Sequence, residues 1–328
     1  MIVKKGKGRI MKKRKLGNTD MEIAPLIFGG NVFGWTVDEN RSFRLLDIFF
    51  EKGFNCIDTA DGYSVWASGN KGGESETIIG NWLRKTGKRK DMIIATKVGS
   101  EITPERKGLS KKYILSEVET SLKRLQTDYI DLYQSHKDDL HTPIEETLEA
   151  YSQLIKDGKV RYIGASNFTV QRMEDSMKKN KEKKLPAYKT IQPKYNLYDR
   201  EFEIEYAAIV KKYRLSVITY SSLASGFLSG KYHSVKDFSK SPRGKGMTKY
   251  LDKKGFAILK TLKELSAKYN CSSASISLAW LIQNPLVTAP IASATNEVQL
   301  LELIKSTGIV LTDADIQLLN EAGKPIIK

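Results

Sequence analysis

Three short apolar runs each end on an ionisable side chain. Phe54-Asn55-Cys56-Ile57-Asp58 stops on a carboxylate, Ile93-Ile94-Ala95-Thr96-Lys97 on an ammonium, and Leu132-Tyr133-Gln134-Ser135-His136 on an imidazole. Runs of this kind favour β-strands. As successive parallel strands they would deliver Asp58, Lys97 and His136 to one carboxyl-end face, with Tyr63 on the loop just past the first. An acid, a cation, an imidazole and a phenol gathered there can move a proton, and barrel folds keep their chemistry at the carboxyl ends of their strands. A tyrosine titrates near ~10, and a neighbouring ammonium is expected to stabilise phenolate and lower that value. Read structurally instead, Asp58 and Lys97 are an ion pair knitting two strands.

The elements that must position these groups follow from periodicity. Short apolar strands are expected near 26–28, 54–58, 92–97, 129–135, 159–164, 189–192, 215–220 and 286–291. Amphipathic stretches separate them, such as Phe43-Leu46-Phe49-Phe50, Ile78-Ile79-Trp82-Leu83 and Ile114-Val118-Leu122-Leu125. Eight strands interleaved with helices imply a parallel α/β sheet that closes into a (β/α)8 TIM barrel. Ser110 and Thr142-Pro143 with Glu145 and Glu146 mark helix starts, whereas Lys52-Gly53 and Asp157-Gly158 mark helix ends. Along the second strand, Phe54, Cys56 and Asp58 are expected on one face by the period of two. Three features depart from plain alternation: an N-terminal β-hairpin around Gly17-Asn18-Thr19-Asp20, a Gly/Ser/Lys-rich loop over 223–250, and two extra helices over 272–283 and 313–321. A loop that long is usually functional or mobile. One domain over 11–328 is expected, preceded by a basic tail over 1–10 that is dispensable.

Several of these segments resemble, in order, the motif series of the aldo-keto reductase superfamily. They are Asp58-Thr59-Ala60-Asp61-Gly62-Tyr63, Ala95-Thr96-Lys97, Asp131-Leu132-Tyr133-Gln134-Ser135-His136, Gly164-Ala165-Ser166-Asn167-Phe168, Gln192-Pro193-Lys194-Tyr195-Asn196 and the run from Tyr220 to Tyr232. Together the resemblance covers roughly residues 12–320. It implies a carbonyl reductase, or an enzyme running the reverse alcohol oxidation, with Tyr63 as general acid, Lys97 tuning it, Asp58 holding Lys97, and His136 orienting the carbonyl oxygen. It also implies that the hairpin plugs the bottom of the barrel.

Hydride must come from a cofactor, since no side chain supplies it. The dinucleotide fingerprint G-x-G-x-x-G is absent; Gly6-Lys7-Gly8 lacks a preceding strand, and Gly226 to Lys231 is one residue short of a phosphate loop. The resemblance implies a different cradle for NADP(H), with NAD(H) as the alternative. In it, Gly30, Asn31 and Val32 follow the first strand. Ser166, Asn167 and Gln192 bind the nicotinamide carboxamide, and Tyr220 stacks on the ring. Ser221, Leu223, Gly226, Leu228 and Gly230 line the pyrophosphate, with Lys231 and Arg243 nearby. Ser293, Thr295, Gln299 and Glu302 lie on the adenosine side. Ser293 stands where a glycine is common, and Thr295-Asn296 where a cation often grips the 2′-phosphate. Phe33, Trp35, Trp66 and Lys137 are the expected substrate walls, with core packing the alternative for the aromatics. A potassium-channel β-type binding subunit, which resembles these enzymes, is the alternative function.

The formal charge of +16 raises nucleic acid or an anionic surface as partners. Its distribution argues otherwise: residues 1–16 hold eight Lys or Arg and no acid, and the remainder spreads over helix faces such as Lys178-Lys179-Lys181-Lys183-Lys184. No apolar run approaches the ~18 residues of a membrane span. Two distant cysteines, Cys56 and Cys271, are expected to stay reduced, as in a cytoplasmic protein. His136, His141 and His233 have no metal-ligand spacing, so no metal is expected. The resemblance implies a small carbonyl or alcohol substrate as the partner.

Overall fold

In the computed structural model, which describes residues 11–324, eight parallel strands close into a barrel. The basic segment 1–10 lies outside the described residues. Two strands, β1 (Arg14–Lys15) and β2 (Glu22–Ile23), form the antiparallel hairpin. The barrel strands are β3 (Ile27–Gly29), β4 (Cys56–Asp58), β5 (Ile93–Val98), β6 (Ile130–Ser135), β7 (Val160–Ser166), β8 (Thr190–Gln192), β9 (Ser216–Thr219) and β10 (Ala289–Ala292). Each expected strand is found, with its ends shifted by at most three residues, because backbone pairing and not apolarity sets where a strand begins and stops.

The helices are α1 (Glu39–Glu51), α2 (Glu74–Thr86), α3 (Lys111–Leu125), α4 (Ile144–Lys156), α5 (Val170–Lys183), α6 (Glu201–Glu205), α7 (Ala207–Tyr213), α8 (Lys253–Tyr269), α9 (Ser273–Gln283), α10 (Glu297–Lys305) and α11 (Asp313–Ala322). Their ends obey the local chemistry. Ser110 accepts the Tyr113 N–H at 3.3 Å to cap α3, and Gly158 beyond α4 takes the left-handed φ of 72°. The two helices outside the alternation, α9 and α11, stand where the sequence placed them.

Two apolar cores result. The inner one fills the barrel with Ile27, Cys56, Ile93, Ala95, Leu132, Ile218 and Ala289, and the hairpin adds Leu16, Met21 and Ile23. Gly17 N–H donates to Ser216 Oγ at the start of β9 at 2.5 Å, so the hairpin closes the amino-terminal end. The outer core lies between strands and helices. Phe54 belongs to it, stacked on Phe49 at 4.8 Å, and does not share the inward face of Cys56 and Asp58. β4 begins only at Cys56, so the period of two does not extend back to Phe54.

The segment 223–250 is not an open loop. It contains three short 3-10 turns, Ala224–Ser229, Val235–Lys240 and Gly244–Tyr250, anchored by buried Phe227, Leu228, Tyr232, Met247 and Tyr250. Phe227 stacks on Tyr250 at 5.1 Å. Glycine, serine and lysine make up half of its residues, but these few apolar side chains decide its packing.

Candidate active site

Parallel register brings the ionisable groups together. Gly29 lies opposite Asp58, Asp58 opposite Ala95, and Lys97 opposite Gln134, so that Asp58 and Lys97 stand at or next to the carboxyl ends of β4 and β5. Asp58 and Lys97 are buried inside the barrel mouth, with Lys97 wholly shielded from solvent. Lys97 Nζ donates to Asp58 Oδ2 at 2.6 Å, to the Thr59 carbonyl at 2.7 Å and to Tyr63 Oη at 2.9 Å. All three ammonium donors are thereby used. The same cation sits 4.6 Å from the Tyr63 ring centroid, and the His136 ring meets that ring at 5.8 Å and 70°.

The loop carrying Tyr63 is fixed by backbone and side-chain bonds. Tyr63 N–H donates to Ala60 O, and Ser64, at φ 74°, donates its hydroxyl to Phe33 O at 2.6 Å. Beneath it, Thr59 Oγ1 and Ser75 Oγ are 2.8 Å apart, and Ser75 donates to Gly30 O. A Cβ at Gly30 would come within 2.8 Å of Ser75 Oγ, so that residue serves close packing.

Burial and charge set the protonation states. Burial pushes the Tyr63 phenol above its ordinary value; Lys97 pulls it back, and Asp58 adds to the rise. The expected net lowering by Lys97 is therefore corrected: desolvation outweighs the ammonium, and Tyr63 holds its proton at neutral pH. Burial alone would lower Lys97, but Asp58 and Tyr63 reverse this and keep it charged. Burial, with Lys97 in support, pulls His136 down to about 3, so its imidazole is neutral at neutral pH.

These groups open onto a cleft of about 500 Å³, within the range of small-molecule sites. Its lining includes Asn31, Trp35, Asp58, Tyr63, Trp66, His136, Ser166, Asn167, Gln192, Tyr220, Ser221, Leu223, Gly226, Arg243 and Ser293. Tyr220 Oη donates to Asn167 Oδ1 at 3.0 Å, and Asn167 Nδ2 donates to the His136 carbonyl at 2.8 Å and to Ser166 Oγ at 3.1 Å. Asn167 is held at φ 54°, and Ser221, Ala224, Ser225 and Gly226 all take positive φ. Non-glycine residues in that region cost of order ~1 kcal/mol each and gather at ligand clamps. Lys231 stands close to Gly226: a Cβ there would meet its Nζ at 3.7 Å. The Arg243 guanidinium lies over the Trp35 ring at 5.2 Å, and Trp35 meets Trp66 edge to face at 5.8 Å.

Other expected positions fall elsewhere. Phe33 is fully buried and stacks on Phe28 at 5.2 Å, so it is core and not a substrate wall; Val32 and Leu228 are core as well. Lys137 is exposed and absent from the lining, so it is not a substrate wall. Glu302 accepts from Ser272 N–H at 3.2 Å and Ser275 Oγ at 3.3 Å, beside the start of α9 and outside the cleft lining. Thr295 and Gln299 bond to each other at 2.9 Å and 3.0 Å, and Gly230 takes φ 78° against Ser273; none of the three lines the cleft. Ser293 Oγ lies 2.7 Å from both Gly29 O and Asn31 Oδ1 and donates its one proton to one of them. A Cβ at Gly29 would stand 2.6 Å from that oxygen, so the serine fits because residue 29 has no side chain.

Sequence reasoning missed Gly29, Ser222 and Ser225 on the lining, and Gln134 beneath it. Gln134 was visible as a polar residue in an apolar run. It also assigned no role to Asp61, which is fully buried with neither carboxylate oxygen hydrogen-bonded among the described residues.

The aldo/keto reductase family model matches residues 25–324. An uncharacterized oxidoreductase of Bacillus subtilis (strain 168), YrpG, is 34% identical over 320 residues, covering 95% of each chain. The aldo-keto reductase YhdN of the same strain is 32% identical over 293 residues, 88% of this chain and 84% of that protein. A probable voltage-gated potassium channel subunit beta of Oryza sativa subsp. japonica is 31% identical over 310 residues, 92% of each chain.

Proposed function

The chain belongs to the aldo/keto reductase family, a family of oxidoreductases, and on that premise we propose that it reduces aldehydes or ketones with NADPH, or runs the reverse oxidation. One observation carries the reading: a protonated phenol, 2.9 Å from a buried ammonium, lines the same cleft as a neutral imidazole.

Tyr63 is in the donor form. As a carbonyl oxygen gains negative charge, the phenol can release its proton to it, and Lys97 stabilises the phenolate left behind. Asp58 keeps Lys97 charged inside the barrel, where an unpaired ammonium would lose its proton. Neutral His136 has one ring N–H to offer the carbonyl oxygen, fixing its approach. In the reverse direction the same phenolate accepts the alcohol proton.

The residues present fit a nicotinamide cofactor. Ser166, Asn167 and Gln192 offer amide and hydroxyl groups beside the flat face of Tyr220, and the strained 221–226 turn with Lys231 and Arg243 suits a diphosphate. When bound, the cofactor supplies or receives the hydride. The loop from Ser293 to Gln299 carries no cation, so preference for the 2′-phosphate falls to Lys231 and Arg243. Trp35 and Trp66 at the mouth favour a partly apolar substrate.

A binding subunit of the potassium-channel β kind is the second reading, supported by the rice relative. The test is steady-state NADPH and NADH absorbance with a panel of aldehydes, ketones and sugars. Turnover of a panel member supports the enzyme. Tight cofactor binding with no turnover across the panel would replace it with the binding subunit.

A further inference from the structure

The Asp58 carboxylate uses its two oxygens for different partners. Oδ2 accepts from Lys97 at 2.6 Å and faces Tyr63 Oη at 3.5 Å. Oδ1 accepts from two amides, Gln192 Nε2 at 2.9 Å and Gln134 Nε2 at 3.2 Å. An ionised carboxylate only accepts, so it turns both amide nitrogens toward itself. Gln134 Oε1 in turn accepts from Gln192 Nε2 at 3.1 Å. Both nitrogen-side bonds of Gln192 are then spent within the barrel, and among the described residues its oxygen accepts no hydrogen bond, although the residue lines the cleft.

Gln134 has no exposed surface, and barrel interiors are usually filled by branched apolar side chains. The fold makes room for it. Gly164 lies opposite Gln134 in the β6–β7 register, and a Cβ there would come within 3.1 Å of Gln134 Cγ. A buried amide is costly without partners, and among the described residues every side-chain bond it makes goes to Asp58 or Gln192.

We propose that Gln134 is a positioning residue that joins the two halves of the site. It holds Asp58 against Lys97 and fixes the Gln192 amide so that its oxygen is offered to an N–H group of the ligand, such as a carboxamide. This rests on the reductase reading above, with Gln192 on the cofactor side. Removing Gln134 should therefore disturb proton donation and cofactor binding together, although it touches neither.

Two variants test this, each followed by NADPH fluorescence titration and steady-state aldehyde reduction across pH. In Gln134→Met the network is lost, and KM for NADPH should rise and kcat fall, each by roughly tenfold to a hundredfold, as for side chains that orient a reacting group through another. In Gln134→Glu the introduced carboxyl faces Asp58, with Lys97, Tyr63 and His136 the other ionisable groups around the pair. While protonated, it can donate to Asp58 as the amide does. Once ionised, it repels Asp58. Near-wild-type turnover on the acid side, with an added fall as pH rises that the wild type lacks, is the expected profile. Wild-type kinetics and pH profile in both variants would overturn the positioning role and leave the reductase standing. The same holds if Gln134→Met fails to fold and Gln134→Glu matches the wild type at every pH. A wild type that neither binds NADPH nor reduces the panel would remove the reductase reading and this role with it.

Discussion

Lys97 Nζ lies 2.9 Å from Tyr63 Oη with no solvent reaching the ammonium. Two groups that titrate far above neutrality are thus in contact, one charged and one neutral. The buried cation favours the state of Tyr63 that follows proton release, while burial of the phenol favours the state that precedes it.

Tyr63→Phe keeps the ring, its packing against Trp66 at 5.9 Å and the shape of the cleft, and removes only the hydroxyl. Turnover should fall by about 10²–10⁴-fold, the usual worth of positioned acid catalysis, with melting temperature and NADPH affinity little changed. Near-wild-type reduction of a good aldehyde would remove the proton-donor assignment.

Lys97→Met should abolish most turnover and also destabilise the fold. It strands the Asp58 carboxylate in the barrel without its counter-charge, a loss typically of about 3–5 kcal/mol. Adding Asp58→Asn should restore much of the melting temperature without restoring activity. A double variant no more stable than Lys97→Met would mean that the pair is not the source of the loss.

His136 is neutral in the fold down to about pH 3, whereas in the unfolded chain it protonates below ~6.5. The unfolded state therefore binds the extra proton over that interval. The stabilising effect is complete above the unfolded value and is lost as pH falls toward the folded one. Melting temperature against pH should drop more steeply on the acid side for the wild type than for His136→Asn. Parallel curves would place the imidazole in a different environment.

Asp61 behaves in the opposite sense. Burial, reinforced by Glu76 and Glu117, raises its carboxyl well above the ordinary range. The folded state then holds a proton that the unfolded state releases above ~3.9, so stability falls as pH rises from there. Asp61→Asn should melt higher than the wild type at neutral and alkaline pH, with the gap closing in acid. A variant that melts lower at alkaline pH would show that Asp61 is ionised and paired.

On the proposed reading, Lys231 and Arg243 carry the preference for the 2′-phosphate. Fluorescence titration should show NADPH preferred over NADH by a modest factor, and Arg243→Ala should weaken NADPH more than NADH. Equal or tighter binding of NADH would assign the protein to NAD.

The order of strands and helices is legible in the chain without the fold, because period and punctuation are local properties. The sequence also implies that Asp58, Lys97 and His136 share a face, since parallel strands must all end on the same side. It could not resolve which aromatics face the cleft. Phe33 and Trp35 are two residues apart on one short turn, yet the first is core and the second a wall. Nor could it weigh burial against charge at Tyr63, because the ammonium is visible in the sequence but the desolvation is not. The Asp58–Gln134–Gln192 network joins residues 76 and 134 positions distant from Asp58, and only closure of the barrel brings them within hydrogen-bonding reach. Local pattern sets where a strand ends; burial and long-range hydrogen bonding, which are properties of the closed barrel alone, set what its last side chain can do.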